Sequence, residues 1–494
     1  MEIVASLFYG FEVALRPENL LYCFIGVFLG TFVGVLPGIG ATATIAVLLP
    51  VTYALDPTTS FIMLAGVYYG AEYGGSTASI LLNIPGTPSN AITCLDGYPL
   101  TQQGRGGVAL FTTAITSFMG GTAGILALII VAPIIVSISR AFGPAEYVAV
   151  ILFGLIASAA VSQARPAKGL TMVALGLMLG TVGIDVNTGT YRFSFNYPPL
   201  IDGISLVALA MGIFGVSEVI NSIRTSNESG TIGKITFRSM LPNRSDLSAF
   251  FGPVIRGSGI GMLMGTLPGT GPTIASFISY AMEKRVAKDK SRFGRGALEG
   301  IAGPEASNNA AAQTAFIPTL TLGIPGTATM AIMLGALMIH GITPGPGLMR
   351  DQPELFWGLV ASFAIGNLML LVLNIPMIGL WVRLLSVPFK LLYPTIICLI
   401  CLGVFSVRNS AFDVVLTMAL GVVGYFMRAA GFPLAPLLIG FILGPILEEN
   451  LRRALLLSRG DMAVFIESPL SLAFLLVSLL MVVLSVVGFF RRPR

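Results

Sequence analysis

Two glutamates stand where acids are expensive. Glu72 lies in YYGAEYGGST and Glu305 in AGPEASNNAAAQT, and both stretches are otherwise uncharged. A carboxylate in such surroundings can carry a proton, or it can hold a cation beside carbonyl and amide oxygens. Ionisable groups inside an apolar bundle are read as functional by default. Asn308 and Asn309 follow Glu305 at i+3 and i+4, so a helix places all three on one face. Glu72, Glu305, Asn308 and Asn309 are therefore the candidates for handling a coupling ion; the bland alternative is a solvated interfacial position for each glutamate.

The glutamates are flanked by breaks in oily sequence. GVLPGIGAT (Gly34–Thr42) has a counterpart in GTLPGTGPT (Gly265–Thr273), and NIPGT (Asn83–Thr87) has one in GIPGT (Gly323–Thr327). At each break Pro removes a backbone donor and Gly frees the chain. A threonine suited to capping follows: Thr42 and Thr273 in the first type, Thr87 and Thr327 in the second, with Pro88 at N1 after Thr87. Four half-helices are expected to start there, each presenting free N–H groups and the positive end of its dipole to an anion. The candidate substrate-binding residues of the first half are Pro37, Gly38, Gly40, Thr42, Ser76, Thr77, Asn83, Pro85, Gly86, Thr87 and Ser89, with Asn90 nearby. In the second half they are Pro268, Gly269, Gly271, Thr273, Pro325, Gly326, Thr327 and Thr329. No Lys or Arg lies near these breaks, so the chemistry suits a small polar anion better than a cation or an apolar ligand. A single break would read as an ordinary Pro kink; four in repeated order do not.

The elements that position these residues must lie in lipid. Of 494 residues, 55% are hydrophobic and 10% charged, against about 25% charged in soluble domains. Apolar runs at Phe111–Ile138, Tyr147–Val161, Leu170–Val182, Leu200–Ile223, Leu355–Trp381 and Leu470–Phe490 are candidate spans, as are Leu391–Val407, Val414–Met427 and Pro433–Leu447. With the broken segments, about 10–12 passes are expected. The fold class is an all-α polytopic integral membrane protein, because the runs lack the alternation of barrel strands. The N-terminus has no basic n-region and reads as an interfacial helix, not as a cleaved signal. Cys398 and Cys401 form a CxxC inside an apolar run and read as lipid- or helix-facing residues, with no redox or metal role. No cofactor and no structural metal are expected.

The matching breaks belong to an internal repeat. Pro37 pairs with Pro268 at the separation that also pairs Gly34 with Gly265, Gly40 with Gly271 and Thr42 with Thr273; DGYPL from Asp96 then meets HGITP from His340, and SF at Ser117 meets SF at Ser362. Five segments follow: an N-terminal interfacial segment (1–19), a first transmembrane repeat (20–220), a cytoplasmic basic loop (221–250), a second repeat (251–460), and a C-terminal helix with a basic tail (461–494). The LPGTG segment has Arg224, Lys234, Arg238, Arg244 and Arg256 before it and Lys284, Arg285, Lys288, Lys290, Arg292 and Arg295 after it. Basic flanks mark cytoplasmic ends, and only a re-entrant hairpin has both ends on one side. The first copy lacks the basic excess, which suits entry from the opposite side and an inverted repeat. The basic clusters near the C-terminus leave the sidedness of the termini open.

Other motifs carry little. His340 is the single histidine and reads as a helix-end residue. GTIGKIT at Gly230 lacks phosphate-loop spacing, and nucleic-acid binding is not expected. GVLPGIGATATIAVLLP, YYGAEYGGSTASILLNIPGTPSNAITCLDGYPL and GPEASNNAAAQTAFIPTLTLGIPGTATMAIMLGALMIHGITPGP resemble the large permease subunit of the tripartite tricarboxylate transporters (TctA-like), over roughly Leu20 to Leu457. The resemblance implies a bacterial inner-membrane secondary transporter of small tri- or dicarboxylates such as citrate, driven by Na⁺ or H⁺. It also implies two partners, a small transmembrane subunit and a periplasmic solute-binding protein; a homodimer stays open. The alternatives are a stand-alone carboxylate carrier and, remotely, an intramembrane enzyme using Ser76, for which His340 is the one available imidazole base.

Overall fold

The computed structural model describes residues 2–36, 40–139, 142–161, 166–185, 188–225, 237–384 and 389–491. The first half runs through α1 (Glu2–Ala14), α2 (Pro17–Val35), α3 (Gly40–Thr52), α4 (Pro57–Leu82), a 3₁₀ turn at Pro88–Ala91, α5 (Cys94–Gln102), α6 (Gly106–Ser139), α7 (Pro144–Val161), α8 (Pro166–Gly180), α9 (Leu206–Ala210) and α10 (Ser217–Thr225). The second half holds α11 (Phe237–Met240), α12 (Arg244–Thr266), α13 (Gly271–Val286), α14 (Glu299–Thr314), α15 (Phe316–Leu322), α16 (Ala328–Ile339), α17 (Leu348–Asp351) and α18 (Pro353–Asn374). It closes with α19 (Ile378–Leu384), α20 (Phe389–Arg408), α21 (Ala411–Ala429), α22 (Leu434–Leu457), α23 (Val464–Glu467) and α24 (Pro469–Arg491).

The protein is an all-α polytopic membrane protein. Six of its described helices are long and apolar enough to cross a bilayer: Pro17–Val35, Gly106–Ile138, Leu206–Ile223, Pro353–Asn374, Ala411–Ala429 and Leu434–Leu457. Shorter apolar helices, α3, α8 and α16 among them, accompany these. Among the described residues the strand content is one two-residue ladder, Gly183–Ile184 against Tyr191–Arg192. The span expected at Leu200–Ile223 is interrupted by a π-helical turn at Met211–Val216. Widened turns of this kind leave carbonyls off the regular ladder.

Each half packs its own central pair of helices, α2 on α4 and α12 on α14, and the cross-pairs recur as well, α18 on α4 and α6 on α14. Glycines set the closeness of these pairs. A Cβ at Gly30 or Gly34 would stand 2.4 or 2.3 Å from a carbonyl of α4, and one at Gly257 or Gly261 would stand 2.2 Å from a carbonyl of α14. Small residues let backbones approach in lipid, where dispersion and not water drives helix association.

The hairpin expected at the LPGTG segment has a specific tie. On α12, Arg256 donates from Nε and a terminal nitrogen to Glu283 on α13, at 2.9 and 2.6 Å. This two-pronged pair holds the arms side by side, well away from the bend between them. The helix α12 begins at Arg244, inside the stretch read as loop, because Asn243 and Asp246 form a capping box. Lys234 of that basic stretch lies outside the described residues.

Candidate functional site

All four sequence breaks interrupt helices. The helix α2 stops at Leu36 and α3 starts at Gly40, whose φ is +67°; Pro37 and Gly38 lie outside the described residues. α12 stops at Leu267 and α13 starts at Gly271, with Gly269 and Gly271 at φ +84° and +58°. In the second type, α4 ends on Asn83 (φ 59°) and α15 on Gly323 (φ 70°), both left-handed. Left-handed backbone is what Gly, and then Asn, tolerate.

The caps differ from expectation at three of four positions. Thr327 caps α16, its hydroxyl accepting from Met330 N at 3.2 Å. Thr42 and Thr273 are not caps, because the left-handed glycines let α3 and α13 begin two residues earlier, which puts both threonines in the first turn. Thr87 occupies the N-cap position of its 3₁₀ turn but makes no cap bond. Its hydroxyl instead lies 3.2 Å from Glu72 Oε2, 2.7 Å from Ser89 Oγ and 2.5 Å from Asn90 Oδ1.

The breaks meet within each half and, at one point, across the two. Thr42 and Thr329 hydroxyls lie 2.7 Å apart, joining the first break of one half to the second break of the other. Gly269 N donates to Gly326 O at 2.8 Å, and Gly86 N to Gly75 O at 3.3 Å. A Cβ at Gly86 would stand 2.1 Å from Gly34 O, and one at Gly271 would stand 2.8 Å from Thr327 Cγ2. Pro268 and Pro325 are buried beside them.

Both glutamates are interior, Glu72 at 6% exposure and Glu305 at 1%. The hydroxyl of Ser89 donates to Glu72 Oε2. Asn90, on the turn after the first IPGT, donates to Ser76 Oγ at 2.8 Å, to Glu72 O at 3.3 Å and to Glu305 Oε1 at 3.3 Å. Thr93 donates to the same Glu305 oxygen, and Ser117 of α6 donates to Oε2 at 3.2 Å. Glu305 lies in the second half of the chain, yet among the described residues the side chains bonded to its carboxyl, Asn90, Thr93 and Ser117, come from the first. One hydrogen-bonded chain thus runs from Glu72 through Thr87 and Asn90 to Glu305. Among the described residues neither carboxyl has a basic partner within ion-pair distance.

The remaining candidates fall into place or away from it. Asn309 donates to Glu305 O at 3.1 Å, a turn-to-turn bond along α14. Asn308 lies beside Glu72, not beside Glu305. Thr77 faces elsewhere: with Tyr73, Thr113 and Asn374 it lines a cavity of about 10 Å³. Asn83 and Pro85 are exposed at the end of α4 and take no part in the network. His340 ends α16 and faces Asp56, far along the chain from Ser76, whose hydroxyl is taken by Asn90.

Sequence reasoning missed Thr93, Ser117 and the part played by Asp96. The last is fully buried, and its Oδ1 accepts from three backbone amides, Gly294, Gly296 and Ala297, at 2.9, 2.9 and 2.8 Å. Tyr280 donates to Oδ2 at 3.0 Å. Asp96 therefore clasps the loop between α13 and α14 of the other repeat. Its presence in the repeat match DGYPL was the one available signal.

The sequence model of the Tripartite tricarboxylate transporter TctA family matches residues 20–439. An uncharacterized 52.8 kDa protein in the TAR-I ttuC' 3' region of Agrobacterium vitis is 47% identical over 494 residues, covering 100% of this chain and 98% of its own. An uncharacterized protein in the TAR-II ttuC' 3' region of the same organism is 50% identical over 234 residues, 47% of this chain and 97% of its own. An uncharacterized protein of Methanocaldococcus jannaschii is 27% identical over 212 residues, 42% of this chain and 49% of its own. No solved structure matches.

Proposed function

The chain belongs to the tripartite tricarboxylate transporter TctA family, and from that premise we propose that it is the large membrane subunit of a binding-protein-dependent importer of a small organic carboxylate. Its partners are a small transmembrane subunit and a periplasmic solute-binding protein, its membrane is the bacterial inner membrane, and a Na⁺ or H⁺ gradient drives uptake. The observation that carries the reading is the family match over residues 20–439, joined to a helix break whose side chains reach two interior carboxyl groups. Paired broken helices in corresponding halves are the best pointer to a transporter site, and irregular backbone at membrane depth persists only where it is buried or lines a cavity.

In this reading the half-helices α3, α13 and α16 aim their N-termini at the substrate's carboxylates. Thr42, Thr327 and Thr329 add hydroxyls where the two halves meet. Glu72 or Glu305 takes part in the coupling-ion site, because a buried carboxyl without a basic partner is a natural seat for a proton or a cation. Alternating access moves one repeat-built element against the other, in an inverted arrangement.

Uptake into proteoliposomes tests this directly. A panel of labelled di- and tricarboxylates is offered under imposed Na⁺ or H⁺ gradients, with and without the binding protein and small subunit. Uptake confined to the complete mixture is the expected result. Robust uptake by the chain alone would make it a stand-alone carrier.

A further inference from the structure

We propose that Glu72 and Asn308 form the seat of a small monovalent cation, of Na⁺ size, whereas Glu305 ties the two halves together and takes no part in holding that ion. The proposal rests on the transport reading above and assigns distinct duties to its two acids.

The two carboxyl groups differ in how completely they are satisfied. Both oxygens of Glu305 are taken, Oε1 by Thr93 and Asn90 and Oε2 by Ser117. These side chains reach both of its oxygens and fix the group between the two halves. On Glu72 the hydroxyl of Ser89 donates to Oε2, and that of Thr87, whose single hydrogen is shared with Asn90 Oδ1, faces the same oxygen. Its Oε1 receives no hydrogen bond among the described residues, and the side chain keeps 6% exposure against 1% for Glu305.

Independent polar capacity is left over on the same side. Asn308, 1% exposed, lies within reach of Glu72, yet among the described residues neither its Oδ1 nor its Nδ2 makes a hydrogen bond of normal geometry. Tyr68, one turn before Glu72 on the same face of α4, is buried, and its hydroxyl, directed toward Thr327, makes no hydrogen bond of normal geometry among the described residues. Native proteins rarely bury an amide with both ends unmet, and a ligand resolves it. Oxygen ligands suit a hard cation. No group of three or more His, Cys, Asp or Glu able to hold a metal occurs among the described residues, so a transition metal has no ligand set. A single carboxylate is neutralised by one positive charge, which favours a monovalent ion over a divalent one.

The arrangement also yields coupling. Tyr68 reaches toward Thr327, the cap of α16, so the cation would sit between Glu72 and the helix end that receives the substrate anion. With the cation bound, the anion no longer meets the naked charge of Glu72. With it absent, like charges oppose each other.

The test is binding of radioactive Na⁺ to the full chain purified in nanodiscs, competed with unlabelled NaCl, KCl or choline chloride, with folding followed by gel filtration. Displacement by NaCl alone is expected. Glu72→Gln should abolish binding and Asn308→Ala should weaken it at least about tenfold, while Glu305→Gln stays within about threefold of the parent. Folded Glu72→Gln or Asn308→Ala protein that binds Na⁺ like the parent overturns the proposal, as does loss of binding in folded Glu305→Gln. A parent chain that binds no Na⁺ but supports uptake with its partners removes the cation seat and leaves the transport reading standing. Absence of uptake in the complete mixture removes the transport reading itself.

Discussion

Asn90 gives its amide hydrogen to Glu305 Oε1 at 3.3 Å while its own carbonyl accepts from Thr87 at 2.5 Å. One side chain beside a helix break in the first repeat thus touches the acid of the second. A shift of that break cannot leave Glu305 undisturbed. The contact ties the turn after the first IPGT break to the acid of the other half through the side chain of Asn90.

Asn90→Ala removes a donor from Glu305 and Ser76 and an acceptor from Thr87 in one step. Leaving buried partners unmet costs roughly 1–3 kcal/mol. The variant is therefore expected to lose stability in that range, seen as a lower melting temperature of the purified chain. In the reconstituted system its maximal uptake rate should fall more than its KM rises, because Asn90 links the acids and does not line the half-helix N-termini. An unchanged rate would show that the link carries no coupling.

Gly75→Ala probes the same link from behind. A Cβ at Gly75 would stand 2.1 Å from Asn90 Oδ1, and overpacking a tight core costs about 1–3 kcal/mol. The amide must swing away, so the variant should reproduce the transport defect of Asn90→Ala while inserting normally. The measurement is uptake per inserted chain, with the Asn90→Ala, Gly75→Ala double variant expected to be no worse than Asn90→Ala, since neighbours of this kind are not additive.

The clasp at Asp96 should be the stronger tie. Its Oδ1 serves three buried N–H groups and its Oδ2 one tyrosine hydroxyl. Asp96→Ala orphans all of them and is expected to destabilise the fold, at roughly 1–3 kcal/mol for a buried donor left unmet. Asp96→Asn keeps one acceptor oxygen and should fall between the two. Hydrogen exchange of peptides covering residues 288–298 reads the result directly, with faster exchange in the order parent, Asn, Ala. Equal exchange in all three would mean that the loop is held by something else.

How far this site was legible from sequence follows from what each feature depends on. The breaks were legible because Pro and Gly act locally, and Asn83, Gly271 and Gly323 take the left-handed conformations that such a stretch needs. The all-α class followed from hydropathy alone. Thr42 and Thr273 were misread because a left-handed glycine can start a helix without a side-chain cap, and spacing cannot tell the two apart. Ser117 and Thr93 were invisible for a different reason. Their partner, Glu305, stands roughly two hundred residues away in the chain, and a hydroxyl in an apolar helix commonly bonds its own backbone instead, as Thr116 does to Thr113 O at 3.3 Å. Asn308 was placed on the face of Glu305 by helical spacing, but tertiary packing turns it toward Glu72.

The two threonines that follow the IPG triplets should separate substrate from ion. Thr327 caps α16 through Met330 N, so Thr327→Ala loses about 1 kcal/mol of helix stability and weakens the N-terminal anion site. Its expected signature is a raised KM for the carboxylate with an unaltered dependence on the driving ion. Thr87 makes no cap bond and serves Glu72 and Asn90. Thr87→Ala should therefore shift the concentration of driving ion needed for half-maximal uptake and move the carboxylate KM less. Uptake kinetics with ion and substrate varied in turn distinguish the cases. If both variants change the same parameter by the same factor, the half-helix termini and the acids form one site, and the division of duties between them is wrong.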